Sequence, residues 1–172
     1  MNGNETAERN RELAHRLSNN LARMLREFTR DFERRIYSGT AARGFPDIRP
    51  SHAAVFANLG MGAVRVTELA ERAQVTQQAM GKMLKELEQM GYITRAIDAT
   101  DKRAKEIRLT AKGIELIDAS LEVVEEIYAH YENKIGAQQL HELEGNLRDA
   151  IRKLDLEYLP ASWVDEPQRA AE

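Results

Sequence analysis

Two short stretches carry residues whose chemistry suits the edges and backbone of a nucleic acid. Between Thr76 and Met90, Gln77, Gln78, Gly81, Lys82 and Lys85 fall on one face of a helical segment. Met80, Met83, Leu84 and Leu87 fall on the other. A glutamine amide can pair with an adenine edge, and a lysine can reach guanine acceptors or a phosphate. Gly81 lowers helix propensity by about 1 kcal/mol relative to alanine. On an exposed face it also leaves a flat spot where another backbone can approach. The second stretch is Asp98-Ala99-Thr100-Asp101-Lys102-Arg103, with Lys105 just beyond. An arginine on a projecting turn suits the minor groove where it narrows and its negative potential deepens. Asp101 would repel a phosphate, so its role is to orient Arg103 through a charge-assisted hydrogen bond and to shape the turn. Arg95, at the base of the preceding strand, either supports the turn or touches a phosphate.

In isolation the helical stretch reads better as a solvated face, while the turn is the sharper signal, with a solvated turn holding a casual ion pair as its other reading. The elements around them decide otherwise. Thr67 has the chemistry of an N-cap and opens a short helix to about Ala73; Gln74-Val75 is a tight turn. Thr76 is a second N-cap, and Gly91 suits the left-handed residue that ends a helix. Two short helices on a three- or four-residue turn form a helix-turn-helix. Tyr92–Ile97 and Lys105–Leu109 then read as two strands joined by the charged turn, with Ile107 and Leu109 inward. The spacing therefore predicts a winged helix, with Val64-Arg65-Val66 as a further short strand pairing. Upstream, Pro50 suits the first turn of a helix over about 50–59, which Gly60 and Gly62 end.

The flanking segments are long and amphipathic. Residues 8–37 read as one helix with Leu13, Leu17, Leu21, Leu25, Phe28, Phe32 and Ile36 on a stripe, stopped by Ser38-Gly39-Thr40. At 1.5 Å per residue it is about 45 Å long, more than a domain of this size covers, so the stripe implies a partner chain. Thr110 caps another long helix with Ile114, Ile117, Leu121, Val124, Tyr128, Tyr131 and Ile135 on one side. Gly136 breaks it. A last helix carries Leu140, Leu143, Leu147, Ile151 and Leu154, and the stretch from Pro160, with Trp163, is expected to fray. The fold class expected is mainly α with a small β-hairpin wing. A dimerisation helix at 8–37 precedes a winged helix at 50–112, dimerisation helices at 113–156 and an extension at 157–172.

Composition narrows the function further. The 172 residues include no cysteine, which removes disulfides, thiolate metal sites and cysteine catalysis. The four histidines have no metal-site spacing, and no phosphate loop or nucleophile elbow is present, so no cofactor, metal or catalysis is expected. Met1–Arg11 is polar, and the apolar window Ala53–Val64 is too short to span a bilayer, so the chain is expected to be soluble and cytoplasmic. The net charge of −3 conceals an uneven layout: residues 1–44 and 65–112 are each +3, while 113–172 is −9.

These residues resemble the MarR-type (multiple antibiotic resistance regulator) winged-helix transcription regulators. The resemblance lies in Thr67-Glu68-Leu69-Ala70, in Met83-Leu84-Lys85-Glu86-Leu87-Glu88-Gln89-Met90-Gly91-Tyr92-Ile93, and in the turn with Asp101 and Arg103. It continues through Ile107-Arg108-Leu109-Thr110-Ala111-Lys112-Gly113. It covers about residues 10–156. It implies a homodimer whose outer helices interlock and whose two lobes bind a pseudo-palindromic operator in double-stranded DNA. It also implies a repressor released by a small effector, often an aromatic or phenolic acid, bound between the dimer region and the DNA lobe. Tyr37, Phe45, His52 and Phe56 are the candidates for that pocket, with ordinary packing as their other reading. The chain departs from the family in Ala99 where proline is common, in Arg49 before Pro50 where a Ser or Thr cap is common, in a long loop over 38–48, and in its C-terminal extension. A winged-helix dimer acting through protein–protein contacts, without an operator, is the alternative. Arg103→Ala is expected to weaken binding to a cognate operator and to lower the salt slope by roughly one unit. Equal affinities of wild type and variant across a salt titration would exclude the wing from the DNA surface.

Overall fold

The computed structural model describes residues 3–59, 64–97 and 105–156. Helices α1 (Gly3–Ser18) and α2 (Leu21–Ala42) lead to a 3-10 turn at Pro50–His52 and helix α3 (Ala53–Leu59). Strand β1 (Val64–Arg65) runs directly into α4 (Val66–Arg72), followed by α5 (Gln77–Gln89), β2 (Ile93–Ile97) and β3 (Lys105–Leu109). Helices α6 (Ala111–Ile135) and α7 (Ala137–Lys153) complete it. The sheet is antiparallel in the order β1-β3-β2, with Val64 opposite Ile107 and Arg95 opposite Ile107 from the other side. Its inner face and helices α3, α4 and α5 enclose one core, in which Val55, Leu69, Met80, Leu84, Leu87 and Ile107 are fully buried. The helix-turn-helix, the two strands after it and the two C-terminal helices are as the sequence predicts.

The N-terminal segment differs from the single helix expected over 8–37. It breaks at Asn19-Asn20, where Asn20 Oδ1 accepts from the Arg23 N–H at 2.9 Å and caps α2. Ser18 Oγ donates to Ala14 O at 2.8 Å and Asn20 Nδ2 to Leu17 O at 2.8 Å. Three successive polar side chains thus compete for backbone groups and end the first helix, while the apolar period runs on through the break. Residues 6–18 of α1 are exposed throughout, Leu17 by 72%. At the other end, Ser38-Gly39-Thr40 does not stop α2, which continues to Ala42. Thr40 is buried and donates to Ile36 O at 2.9 Å, within the helix. Gly39 marks the crossing with α6: a Cβ there would lie 2.6 Å from both methyl groups of Val123. One smaller difference occurs near the wing, at Thr67, while the turn expected at Gln74-Val75 is present. Thr67 lies inside the first turn of α4, because pairing with β3 holds the chain extended only through Arg65, which takes the cap position. Gln74 makes its turn with φ +52°.

Helix α6 has two apolar faces. Leu116, Ala119, Val123 and Ile127 turn toward the chain's own core and α2. Ile114, Leu121, Tyr128 and Ile135, from the stripe read in the sequence, stand exposed, Leu121 by 58%. The α2–α6 crossing is fastened at both ends. Phe28 and Phe32 pack on Tyr131, centroids 5.1 and 6.5 Å apart. The Arg43 guanidinium reaches Glu122 at 3.1 Å and Glu126 at 2.8 Å. Asp31 accepts from Arg35 at 2.7 Å, from Arg34, and from the Tyr131 hydroxyl at 3.0 Å. The Arg35 hydrogen bond, with those of Arg34 and Tyr131 and against partial desolvation, holds its carboxyl down at about 2.

Two outcomes follow for stability. Gly39→Ala is expected to cost about 1–3 kcal/mol through overpacking. In a thermal-unfolding cycle, Gly39→Ala with Val123→Ala should be less destabilised than the sum of the two single changes; additivity would mean that the helices do not meet there. Asp31 has a depressed native pKa, so its contribution is present above its unfolded value, roughly 3.9, and is lost as pH falls through about 2. Asp31→Asn should therefore flatten the acid limb of a stability–pH curve between those values; an unaltered limb would contradict the assignment.

Candidate nucleic-acid interface

Helix α5 is anchored from within and bare outside. Thr76 caps it, its Oγ1 accepting from the Ala79 N–H at 3.1 Å, as its position in the sequence predicts. Met80, Leu84 and Leu87 bury its inner face completely. Thr76, Gln77, Gln78, Lys82 and Lys85 are exposed. Gly81 is half-buried, and a Cβ there would have no neighbour within 4 Å. Nothing in the chain's own packing calls for glycine at that position.

The far end of α5 is gripped by the start of α6. Gly91 turns the chain at φ +80°. Lys112 Nζ donates to Met90 O at 2.9 Å, Thr110 Oγ1 to Gly91 O at 2.6 Å, and the Thr110 N–H to Tyr92 O at 3.0 Å. Gly113 is pressed so closely on this turn that a Cβ would fall 2.2 Å from Tyr92 O. Tyr92 itself is fully buried. Phe45 and Phe56 lie 6.2 and 6.4 Å from its ring, and Lys112 Nζ stands 4.0 Å from its centroid. Its hydroxyl donates to Asp47 at 2.6 Å. Burial, then that bond to a carboxylate, pushes the phenol well above its ordinary pKa.

The side chains flagged in the sequence separate into three groups. Those of α5 share one exposed face. Arg95 is held back: Nε lies 3.0 Å from Glu88 Oε2, too poorly aligned for a hydrogen bond but close enough for an ion pair, so it supports α5 from β2. Asp101, Lys102 and Arg103 lie outside the described residues; Lys105 opens β3, and its side chain also lies outside them. The residues named as candidates for an effector pocket are placed in the packing around Tyr92 and the turn before α3. Phe45 and Phe56 wall Tyr92, and the Tyr37 hydroxyl lies 3.4 Å from Pro50 O. His52 is fully buried; its Nδ1 accepts from the Arg49 N–H at 3.2 Å, and its Nε2 lies 3.2 Å from Glu86. The histidine thus replaces the acid of a capping box and closes a turn that lacks a Ser or Thr cap.

Two open clefts lie elsewhere, along the α2–α6 crossing. One of about 350 Å³ is lined by Arg35, Gly39, Arg43 and Glu126, and one of about 670 Å³ by Met24, Phe28, Tyr131 and Ile135. The sequence reading missed Lys112, Asp47 and Glu86. Lys112 alone had a local signal, a basic residue two positions after a helix cap. Among the described residues no side-chain cluster could hold a metal ion, and no helix is long and apolar enough to cross a membrane.

Comparison with known proteins agrees with this geometry. A family model described as the MarR family matches residues 47–104. An exopolysaccharide II synthesis transcriptional activator of Rhizobium meliloti, ExpG, is 32% identical over 96 residues, covering 56% of this chain and 50% of that protein. The chain thus spans about half the length of that relative. The reduced form of MarR from E. coli superposes with a TM-score of 0.67 at 19% identity, over 77% of this chain and 96% of that one. A mutant of S. aureus MepR bound to an oligodeoxyribonucleotide superposes with a TM-score of 0.51 at 19% identity, over 78% and 98%. At these identities the structural likeness is one of fold.

Proposed function

We propose that the chain is a MarR-type winged-helix protein and a homodimeric, sequence-specific DNA-binding regulator of transcription. The observation that carries the reading is α5: an anchored helix whose Gln77, Gln78, Gly81, Lys82 and Lys85 face outward. Glutamine amides suit adenine edges, the lysines suit guanine or phosphate, and Gly81 lets the helix backbone approach the major groove. Arg103, which follows β2 and precedes β3 in the sequence, is the minor-groove contact of this reading.

The dimer is supported by apolar surface that the single chain leaves uncovered. Leu17, Leu21, Met24 and Phe28 fall on α1 and α2 at steps of four, three and four. Ile114, Leu121, Tyr128 and Ile135 recur every seven residues on α6, the spacing of helix–helix seams. In the dimer the two α5 helices would meet successive major grooves about 34 Å apart on a pseudo-palindromic site. The finer reading is a cytoplasmic repressor released by a small, aromatic or phenolic effector. The coupling is reciprocal, so DNA would weaken effector binding by the same factor. The net charge of −3 keeps non-specific affinity low and concentrates attraction at Lys82, Lys85 and Arg103.

Selection of duplexes from a random pool tests the reading: an inverted repeat should emerge, bound by a species that sediments as a dimer. Binding to proteins with no duplex selected would favour the alternative. Gly81→Ala is the sharper probe. It should raise the melting temperature, since the helix gains about 1 kcal/mol and the added methyl meets open space, yet weaken binding to the selected duplex. Equal or tighter binding would contradict a close approach at Gly81.

A further inference from the structure

Helix α5 carries Lys82, Lys85, Glu86 and Glu88, so its formal charge is zero. Glu86 stands one turn beyond Lys82, only about 40° around the helix from it. Its carboxylate is therefore at the edge of the face that would meet phosphates. Both acids are drawn away from that face. Glu88 is paired with Arg95 on β2. Glu86 reaches His52, a fully buried side chain that ends the 3-10 turn before α3. The Arg49 N–H points at His52 Nδ1, so Nδ1 is an acceptor without hydrogen. The neutral ring therefore carries its proton on Nε2 and donates it to Glu86 Oε2 at 3.2 Å. This bond, against partial desolvation and aided by Lys82 and Arg49, lowers the Glu86 pKa and keeps it a carboxylate.

We infer that His52 is a positioning residue for DNA contact: it tethers the Glu86 carboxylate toward the protein interior, so that Lys82 and Lys85 meet phosphates without an adjacent anion. The inference rests on the DNA-binding reading of α5. A neutral imidazole suits the task because it offers a directed N–H without burying a permanent charge, which is costly. Released, Glu86 would be free to pair with Lys82 across one helical turn and would oppose the phosphates. That would cancel about one cation's worth of counterion release, a salt slope shallower by roughly one unit and about tenfold in affinity at 0.1 M salt.

His52→Asn separates the two functions of the ring. Asparagine Oδ1 can replace Nδ1 as acceptor for the Arg49 N–H, which keeps the turn, but the side chain is too short to hold Glu86. The probe is a duplex that the wild-type protein selects from a random pool, titrated by fluorescence anisotropy at several salt concentrations with thermal unfolding alongside. His52→Asn should bind about tenfold more weakly at 0.1 M salt with the shallower slope. Adding Glu86→Gln to the same chain should restore both, because an amide does not repel phosphate. If His52→Asn binds as the wild type does, or the double variant stays as weak as the single one, the tether is overturned and His52 only fills the core. If the wild-type protein selects no duplex, the DNA-binding reading itself fails and the tether falls with it.

Discussion

Three successive carbonyls at the end of α5, those of Met90, Gly91 and Tyr92, are all taken by the first turn of α6, through Lys112 Nζ, Thr110 Oγ1 and the Thr110 N–H. A helix C-terminus normally leaves such groups to water, and the two helix ends also bring opposite partial charges together. The contact is close enough that Gly113 has no space for a methyl group. Tyr92 fills the space beneath it and reaches Asp47 on the loop that follows α2. The exposed face of α5 is therefore fixed not only to its own small core but to the two longest helices of the chain. A change in the angle of α6 is carried to α5 directly through these hydrogen bonds.

The chemistry of that face comes as much from what is removed as from what is presented. The helix has no net charge by composition, and the basic character of its outer side depends on partners in the 3-10 turn before α3 and in β2. Along α2 and α6, by contrast, polar side chains fasten one face while the opposite apolar face is left bare. The two halves of the protein thus differ: the winged lobe satisfies its own core, and the long helices leave apolar side chains exposed.

Much of this was legible in the sequence because the signals are local. Thr76, Thr110, Gly91 and Gly136 punctuate the helices as their cap chemistry requires, and the strands follow the alternation around Ile107. The mistakes share a cause. The apolar period from Leu13 to Leu25 hid a break made by polar competition at Ser18–Asn20. Gly39, read as a stop, is a helix crossing, which only Val123, far away in the chain, could reveal. His52 was legible as a residue of interest, but its partners Arg49 and Glu86 are defined by packing between elements. The turn with Arg103, the sharpest signal in the sequence, lies outside the described residues.

Helix α1 illustrates a different kind of dependence. From residue 6 to its end every side chain is exposed, and a helix of 16 residues standing by itself in water is only marginally stable. In the proposed dimer its order would be borrowed from the surface that covers Leu13 and Leu17. Folding of this segment and association would then be one thermodynamic event, governed by mass action. On dilution the protein would lose its N-terminal turns first, while the winged lobe, held by its own core, stayed intact. Helical content then becomes a function of protein concentration, and the first sixteen or so residues report on assembly.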